Sequence, residues 1–376
     1  MTILPATSDR DRPFGLAAVV LLAALGGCSS ETPPITDCEP AAGMTPDCRF
    51  ANPEDLAPAP GGRFLLVSEF GSMDGSKPGS LVAYDPADGT IERLFTADSP
   101  TSPADAEWGD PACPPPEQFT PHGIDVEQRL DGRHALYVVN HGGRESIEMF
   151  EAAADAAGRV RLTWRGCVLA PEEGNFNDVV ILRDGGFWVS QMYPRDANAL
   201  WTVLRMQLTG YEPGFVYHWS RDGGFQPIPG TETAFANGVE KSDDERFLFM
   251  NSYFGDAVHK VDVERGQVVA SAPVASPDNV TWSADGQLLV ASHHAGLSDV
   301  LACQDLEQGS CGFRFQIVSI DPETMTGRVL IDHAGAPMGA ATVALPFGDA
   351  VYLGTFAGDR VTRVPAEMLA ADASGS

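Results

Sequence analysis

The sequence predicts an all-β fold, a six-bladed β-propeller, and three observations carry that prediction. A module recurs six times: a polar residue, about ten positions of turn-rich chain, then an alternating apolar strand. Asp-Gly or Gly-Gly pairs, the chemistry of tight hairpins, separate the two apolar stretches in several copies. No strong helical periodicity follows residue 50, and 39 Gly with 29 Pro favour turns over long helices.

Five copies superpose without a gap. Glu54-Asp55-Leu56 leads to Phe64-Leu65-Leu66, and Asn177-Asp178-Val179 leads to Phe187-Trp188-Val189. Asn237-Gly238-Val239 leads to Phe247-Leu248-Phe249, and Asp278-Asn279-Val280 leads to Leu288-Leu289-Val290. Ala341-Thr342-Val343 leads to Val351-Tyr352-Leu353. In each, the lead residue lies ten positions before the strand. His122-Gly123-Ile124 opens a sixth copy, with a longer turn before Ala135-Leu136-Tyr137. The copies start about 57 residues apart, which suits four-stranded blades with loop insertions. The last copy leaves too little chain for a full blade, so the segment before Glu54 is expected to complete it and close the ring.

The N-terminus sets the compartment. Arg10 and Arg12 precede an apolar run from Phe14 to Leu25, too short to span a bilayer and suited to a signal-peptide core. The run ends in Leu25-Gly26-Gly27-Cys28, the bacterial lipobox pattern, in which Cys28 is lipidated and becomes the first mature residue. Residues 1–27 are read as a lipoprotein signal peptide, 28–50 as a tether, 51–370 as the propeller and 371–376 as a C-terminal tail. The expected location is the bacterial cell envelope, lipid-anchored on the periplasmic face of the outer membrane or on the cell surface. Of seven cysteines, six remain after Cys28, and an even number in an oxidising compartment suggests three disulfides. Cys38–Cys48 and Cys303–Cys311 are local pairs that would leave Cys113–Cys167, although spacing alone does not fix connectivity. A zinc cluster is the rival reading, disfavoured because no Cys-x-x-Cys is present.

Charge excludes one class of partner. With 24 basic and 52 acidic side chains the formal net charge is −28, the opposite of what phosphate backbones require, so no nucleic acid is expected as a partner. A hydrophobic fraction of 43% is enough for a sizeable core.

Equivalent positions of a propeller lie at equivalent radius and height, so the six leads Glu54, His122, Asn177, Asn237, Asp278 and Ala341 should converge at one mouth of the channel. Asp55, Asp178, Asn279 and Thr342 come just behind them. Carboxylate and amide oxygens without thiolate suit a hard cation such as Ca²⁺, which gives the predicted propeller a central-channel calcium site. The plainer reading, that Asx residues only make turns, accounts for one or two of these side chains and less well for a shared register. His122 sits in the set, and His141 follows the strand that ends in Val138-Val139-Asn140. One imidazole can take a proton from water and a second can relay it, while a cation polarises a carbonyl. Together these describe hydrolysis of an ester or lactone. His293-His294 ends the fifth copy's strand, and His293 is read as lining the pocket.

Several stretches carry a resemblance. Pro121-His122-Gly123-Ile124, then Tyr137-Val138-Val139-Asn140-His141, then Ile147-Glu148-Met149-Phe150 resemble the serum paraoxonase (arylesterase) family. So do Asn177-Asp178-Val179, Phe235-Ala236-Asn237-Gly238, Asp278-Asn279-Val280 and Leu353-Gly354-Thr355. The likeness runs in order from about Glu54 to the C-terminus, and part of it is shared with gluconolactonase, regucalcin and strictosidine-synthase-like propellers. It implies a six-bladed propeller with two channel calcium ions and lactonase or arylesterase activity on small-molecule lactones or esters. Carried over, it implies a catalytic calcium on Glu54, Asn177, Asn237, Asp278 and Asn279. It implies a second, structural calcium on Asp55, Asp178 and the carbonyl of Ile124. His122 would be the general base toward water with His141 as its catalytic partner, and His293 and Thr342 would line the substrate pocket. Two features depart from the family: no Cys follows Cys311 to make its end-to-end disulfide, and its Asn-Asp-His stretch reads Gln191-Met192-Tyr193 here. A sugar lactonase without the histidine pair, or a non-enzymatic surface-binding propeller whose calcium only staples the ring, are the alternatives.

Overall fold

A computed structural model describes residues 33–72, 77–304, 306 and 308–371. The expected signal peptide, Cys28 and residues 372–376 lie outside the described residues. Six four-stranded antiparallel sheets follow one another around a ring, so the six-bladed propeller is the observed architecture. The inner strands are Pro53–Pro58, Pro121–Gln128, Phe176–Ile181, Ala236–Lys241, Pro277–Trp282 and Ala341–Phe347. These begin at or one residue before the six sequence leads.

The ring closes as the repeat count requires. The sixth blade contributes three strands from the C-terminal end, and Thr45–Asp47 supplies the fourth by pairing antiparallel with Val361–Pro365. That strand falls inside the stretch expected as a tether, and Ile35 is bridged to Ser310 as well. The described part of the N-terminal segment is therefore docked on the ring. Arg360 holds it: the side chain is fully buried, and its guanidinium donates to the carbonyls of Asp37 and Pro337 at 2.9 and 2.7 Å and of Ile35 at 3.1 Å. Arg360→Met keeps the apolar stem but leaves the Asp37 and Pro337 carbonyls without a donor, while the Ile35 carbonyl keeps the Ser310 N–H, so it is expected to cost about 3–5 kcal/mol. A denaturant midpoint within error of the parent protein would contradict that assignment.

The apolar core is divided among the blade interfaces. Leu66, Leu81, Leu136 and Phe150 pack between blades one and two; Val139, Phe176 and Phe187 between two and three; and each later interface has its own cluster of the same kind. Alternating strand residues fill these interfaces, which leaves the channel to polar side chains.

Every inner strand breaks register just after its first ladder pair, for example between Phe176 and Val179 and between Pro277 and Val280. Such a bulge re-aims a side chain, and here it falls on the lead position six times. The pairing also corrects one placement. Ala341 opens its ladder opposite Thr355, as Pro53 opens opposite Glu69, so Thr342 rather than Ala341 holds the lead position in the sixth blade.

Two helices interrupt the blades on the face of the lead residues. Helix α1 (Ala199–Thr209) lies between the second and third strands of blade three, capped by the Asn198 side chain at its start and by left-handed Gly210 at its end. Helix α2 (Leu297–Gln304) occupies the same connection of blade five. A short α3 (Ala366–Ala371) ends the described chain. None is long and apolar enough to cross a membrane among the described residues. The three disulfides are Cys38–Cys48, Cys113–Cys167 and Cys303–Cys311, the pairing of an oxidising, extracytoplasmic compartment.

Candidate active site

The bulges sort consecutive side chains into two halves of the channel. Glu54, His122, Asn177, Asn237 and Asp278 line an upper cavity of about 650 Å³. Asp55, Asp178 and Asn279 line a lower cavity of about 270 Å³. Glycine makes the crowding possible: a Cβ on Gly123 would lie 2.5 Å from Asp178 Oδ1, and one on Gly238 would lie 2.5 Å from the Asp278 carbonyl oxygen.

The floor of the upper cavity is a set of side-chain oxygens without protons to meet them. Glu54 Oε2, Asn177 Oδ1, Asn237 Oδ1 and Asn279 Oδ1 are all buried and have no hydrogen-bond partner. Asn279 Nδ2 donates to the other Glu54 oxygen at 2.9 Å. Burial, then the neighbouring Glu54 charge, pushes the Asp278 pKa well above the usual carboxylate range. Buried polar atoms are normally satisfied; here three orphaned oxygens, on Glu54, Asn177 and Asn237, share the lead register, and that of Asn279 lies one residue behind it. The chemistry of the set, oxygen only, suits a hard divalent ion. Among the described residues no three His, Cys, Asp or Glu side chains are spaced to hold a metal, because amides supply much of this set.

The lower carboxylates are placed differently. Asp55 accepts N–H groups from Leu56 and Ile124, each at 2.8 Å, and Asp178 accepts those of Val179 and Val239, each at 2.8 Å. The Ile124 and Val239 bonds tie adjacent blades together at the channel. Burial, reinforced by the Glu54 charge at Asp55 and by the Asp55 charge at Asp178, still holds both well above the ordinary carboxylate range. Asp125 and Glu240 extend this acidic wall, pushed up to about 6 and about 8, chiefly by burial.

The histidines stand at the upper rim. His122 Nδ1 and His141 Nε2 lie 2.9 Å apart. The other nitrogen of His122 is 3.6 Å from Glu54 Oε1, which places this imidazole over the oxygen floor. Phe70 packs edge-on against His122 with ring centres 5.4 Å apart. His293 also reaches the cavity, but its nitrogens are engaged. Nε2–H donates to the Ala341 carbonyl at 2.9 Å, and Tyr253 donates its hydroxyl to Nδ1 at 3.0 Å. Burial pushes its pKa down to about 4, so it is neutral at physiological pH. Thr342 is not on the cavity wall: it is fully buried and its hydroxyl donates to the Glu54 carbonyl at 2.5 Å. There it braces the Glu54 backbone rather than meeting a substrate.

Sequence reasoning did not find several lining groups. Met192, Tyr193, Phe235, Tyr253, Phe254 and Phe356 make the walls apolar and aromatic, and Ala199, Leu200 and Val203 of α1 and Val300 of α2 form part of the mouth. Glu145 and Arg195 are there too. Gln191, where the family has a different residue, is buried and structural: it accepts the Asn175 N–H at 2.8 Å and donates to the Glu173 and Tyr193 carbonyls.

A six-bladed propeller with an oxygen-lined channel and a histidine pair at its mouth defines the class: channel-site propellers. Within it the chain belongs to the arylesterase family, whose profile matches residues 81–360. That membership points to a carboxylic-ester hydrolase. Among solved structures, the chain is similar to a luciferin-regenerating enzyme at 15% identity, covering 86% of this chain and 95% of that one, with a TM-score of 0.52. It is also similar to the gluconolactonase XC5397 of Xanthomonas campestris at 16% identity, covering 89% and 97%, with a TM-score of 0.50. At such identities the likeness concerns the fold. No curated protein matches the chain by sequence.

Proposed function

We propose that the protein hydrolyses lactones and aryl esters, using a calcium ion held in the upper channel. The observation that carries this reading is the His122–His141 contact at 2.9 Å directly over the unpartnered oxygens, in a chain of the arylesterase family. Glu54, Asn177, Asn237, Asp278 and Asn279 would hold the ion. Bound there, it would supply Lewis-acid polarisation of the scissile carbonyl and stabilise the oxyanion. A second ion on Asp55, Asp178 and the Ile124 carbonyl would have to share carboxylate oxygens that already accept four backbone N–H groups.

This chain's residues do the rest. The aromatic walls would pack against an acyl or aryl group. The cavity-facing nitrogen of His122 takes a proton from the attacking water as the oxygen bonds to the carbonyl carbon, and His141 shares the resulting charge through the Nδ1–Nε2 contact. The same proton, returned from His122, goes to the leaving oxygen as the ester bond breaks. Neutral His293 shapes the wall beside Asp278 without competing as a base. Lipidation at Cys28, with its anchor in the cell envelope, belongs to this proposal as the only membrane contact.

The test is a panel of aliphatic lactones of graded ring and acyl size, aryl esters and an aldonolactone, assayed with added calcium. Hydrolysis of hydrophobic lactones or aryl esters in preference to the sugar lactone is expected from the aromatic walls. No turnover across the whole panel would sink the reading.

A further inference from the structure

His141 has two ring nitrogens, and only one faces His122. The other, Nδ1, lies 2.9 Å from Glu145 Oε2. Glu145 sits four residues on, at the end of the glycine loop His141-Gly142-Gly143-Arg144. Its carboxylate is nearly inaccessible to water. Its Oε1 accepts the Phe176 backbone N–H at 2.6 Å, and Arg195 Nη1 lies 3.8 Å from Oε2. Phe176 immediately precedes Asn177, so the group that grips Glu145 belongs to the strand that also presents a floor oxygen.

We propose that Glu145 is the positioning residue of this site, which sets the tautomer of both histidines and thereby leaves the cavity-facing nitrogen of His122 bare. An ionised carboxylate only accepts hydrogen bonds. Oε2 therefore requires the hydrogen of His141 on Nδ1, which leaves His141 Nε2 as an acceptor. His122 must then donate its Nδ1–H to that nitrogen. The lone pair of His122 falls on Nε2, over Glu54 and the oxygen floor, the nitrogen that must be unprotonated to accept a proton from water. After the transfer both nitrogens of His122 carry hydrogen, and the positive charge lies one relay step from the Glu145 carboxylate. The inference rests on the proposed hydrolase reading for its consequence, but the tautomer assignment stands on the geometry alone.

Glu145→Gln separates the two. The Phe176 N–H retains the amide oxygen, so the amide NH₂ faces His141 Nδ1. That nitrogen must now accept, its hydrogen moves to Nε2, and His122 is left with its hydrogen on the cavity side. In the calcium-loaded protein labelled with ¹⁵N-histidine, the ring-nitrogen resonances of His122 and His141 should exchange their protonated and bare positions. On a lactone turned over by the parent protein, kcat should fall on the order of 10²-fold or more with KM little changed. Glu145→Asp, which keeps an acceptor-only group, should restore the parent tautomers and part of kcat. Unchanged tautomers in Glu145→Gln overturn the inference whatever happens to kcat. Reversed tautomers with an undiminished kcat sustain Glu145 as the orienting group and overturn His122 as the base.

Discussion

His122→Gln is expected to lower kcat for lactone and aryl-ester hydrolysis on the order of 10²–10³-fold while leaving KM within a few-fold of the parent. The direction follows from what the substitution removes. Glutamine occupies much of the imidazole volume and can still bond toward His141, so the cavity walls that hold the substrate are untouched. It has no nitrogen that takes a proton near neutral pH, so the attacking water loses its base. Glu54→Gln is the comparison that gives the result its meaning. It removes a carboxylate from the floor, where Glu54 Oε2 stands unpartnered, and should abolish turnover under either a histidine-dependent or a metal-only mechanism. A variant series in which Glu54→Gln is inactive and His122→Gln retains near-parent kcat would assign the chain to the sugar-lactonase type of chemistry. Steady-state rates on one lactone and one aryl ester decide the matter.

Much of the fold was legible because a propeller repeats its own signal. Five inner strands announced themselves by a lead residue ten positions before an apolar strand and a sixth by the same pattern with a longer turn, and the structure puts the five polar leads at one end of one channel. The exception is instructive. Counting ten positions back from Val351 selects Ala341, whereas the ladder selects Thr342, because the hairpin of blade six is shorter and only the bulge marks the register. Helices α1 and α2 were not anticipated. They are insertions between strands, and their residues carry no repeat to register against. Asp125 and Glu240 follow their leads by three residues on the inner strands, one strand period beyond the bulged pair, so the strand period could have placed both in the lower channel. Glu145 was invisible for a different reason: a carboxylate four residues after a histidine signals proximity on a helix, and here a glycine-rich loop brings it to the ring instead.

The largest effect on stability should come from chelation, and its pH dependence has a definite sign. Asp55, Asp178 and Asp278 are buried, and burial reinforced by the nearby Glu54 and Asp55 charges holds each well above its ordinary value of 3.8 in the metal-free protein. Below about pH 4 folded and unfolded chains both carry these protons, and the groups contribute nothing to stability. As pH rises past the unfolded value, the unfolded chain releases its protons while the folded chain retains them or bears the repulsion. The chelated protein must therefore lose stability steadily toward neutral and alkaline pH. Calcium binding runs the other way, because its ligands must be deprotonated and a rising pH strengthens it. At a free-ion concentration a hundredfold above Kd, mass action adds about 2.7 kcal/mol. That should raise the melting temperature of a domain of this size by roughly 4 °C over the chelated protein near neutral pH. The gap should widen from pH 6 to pH 8 and shrink toward pH 5. Asn279→Ala, which deletes one of the unpartnered floor oxygens without changing the charge, should narrow it at every pH. Melting curves that superpose with and without chelator, or a gap that closes as pH rises, would remove the cation from the channel and with it the reason for placing four carboxylates and three amides there.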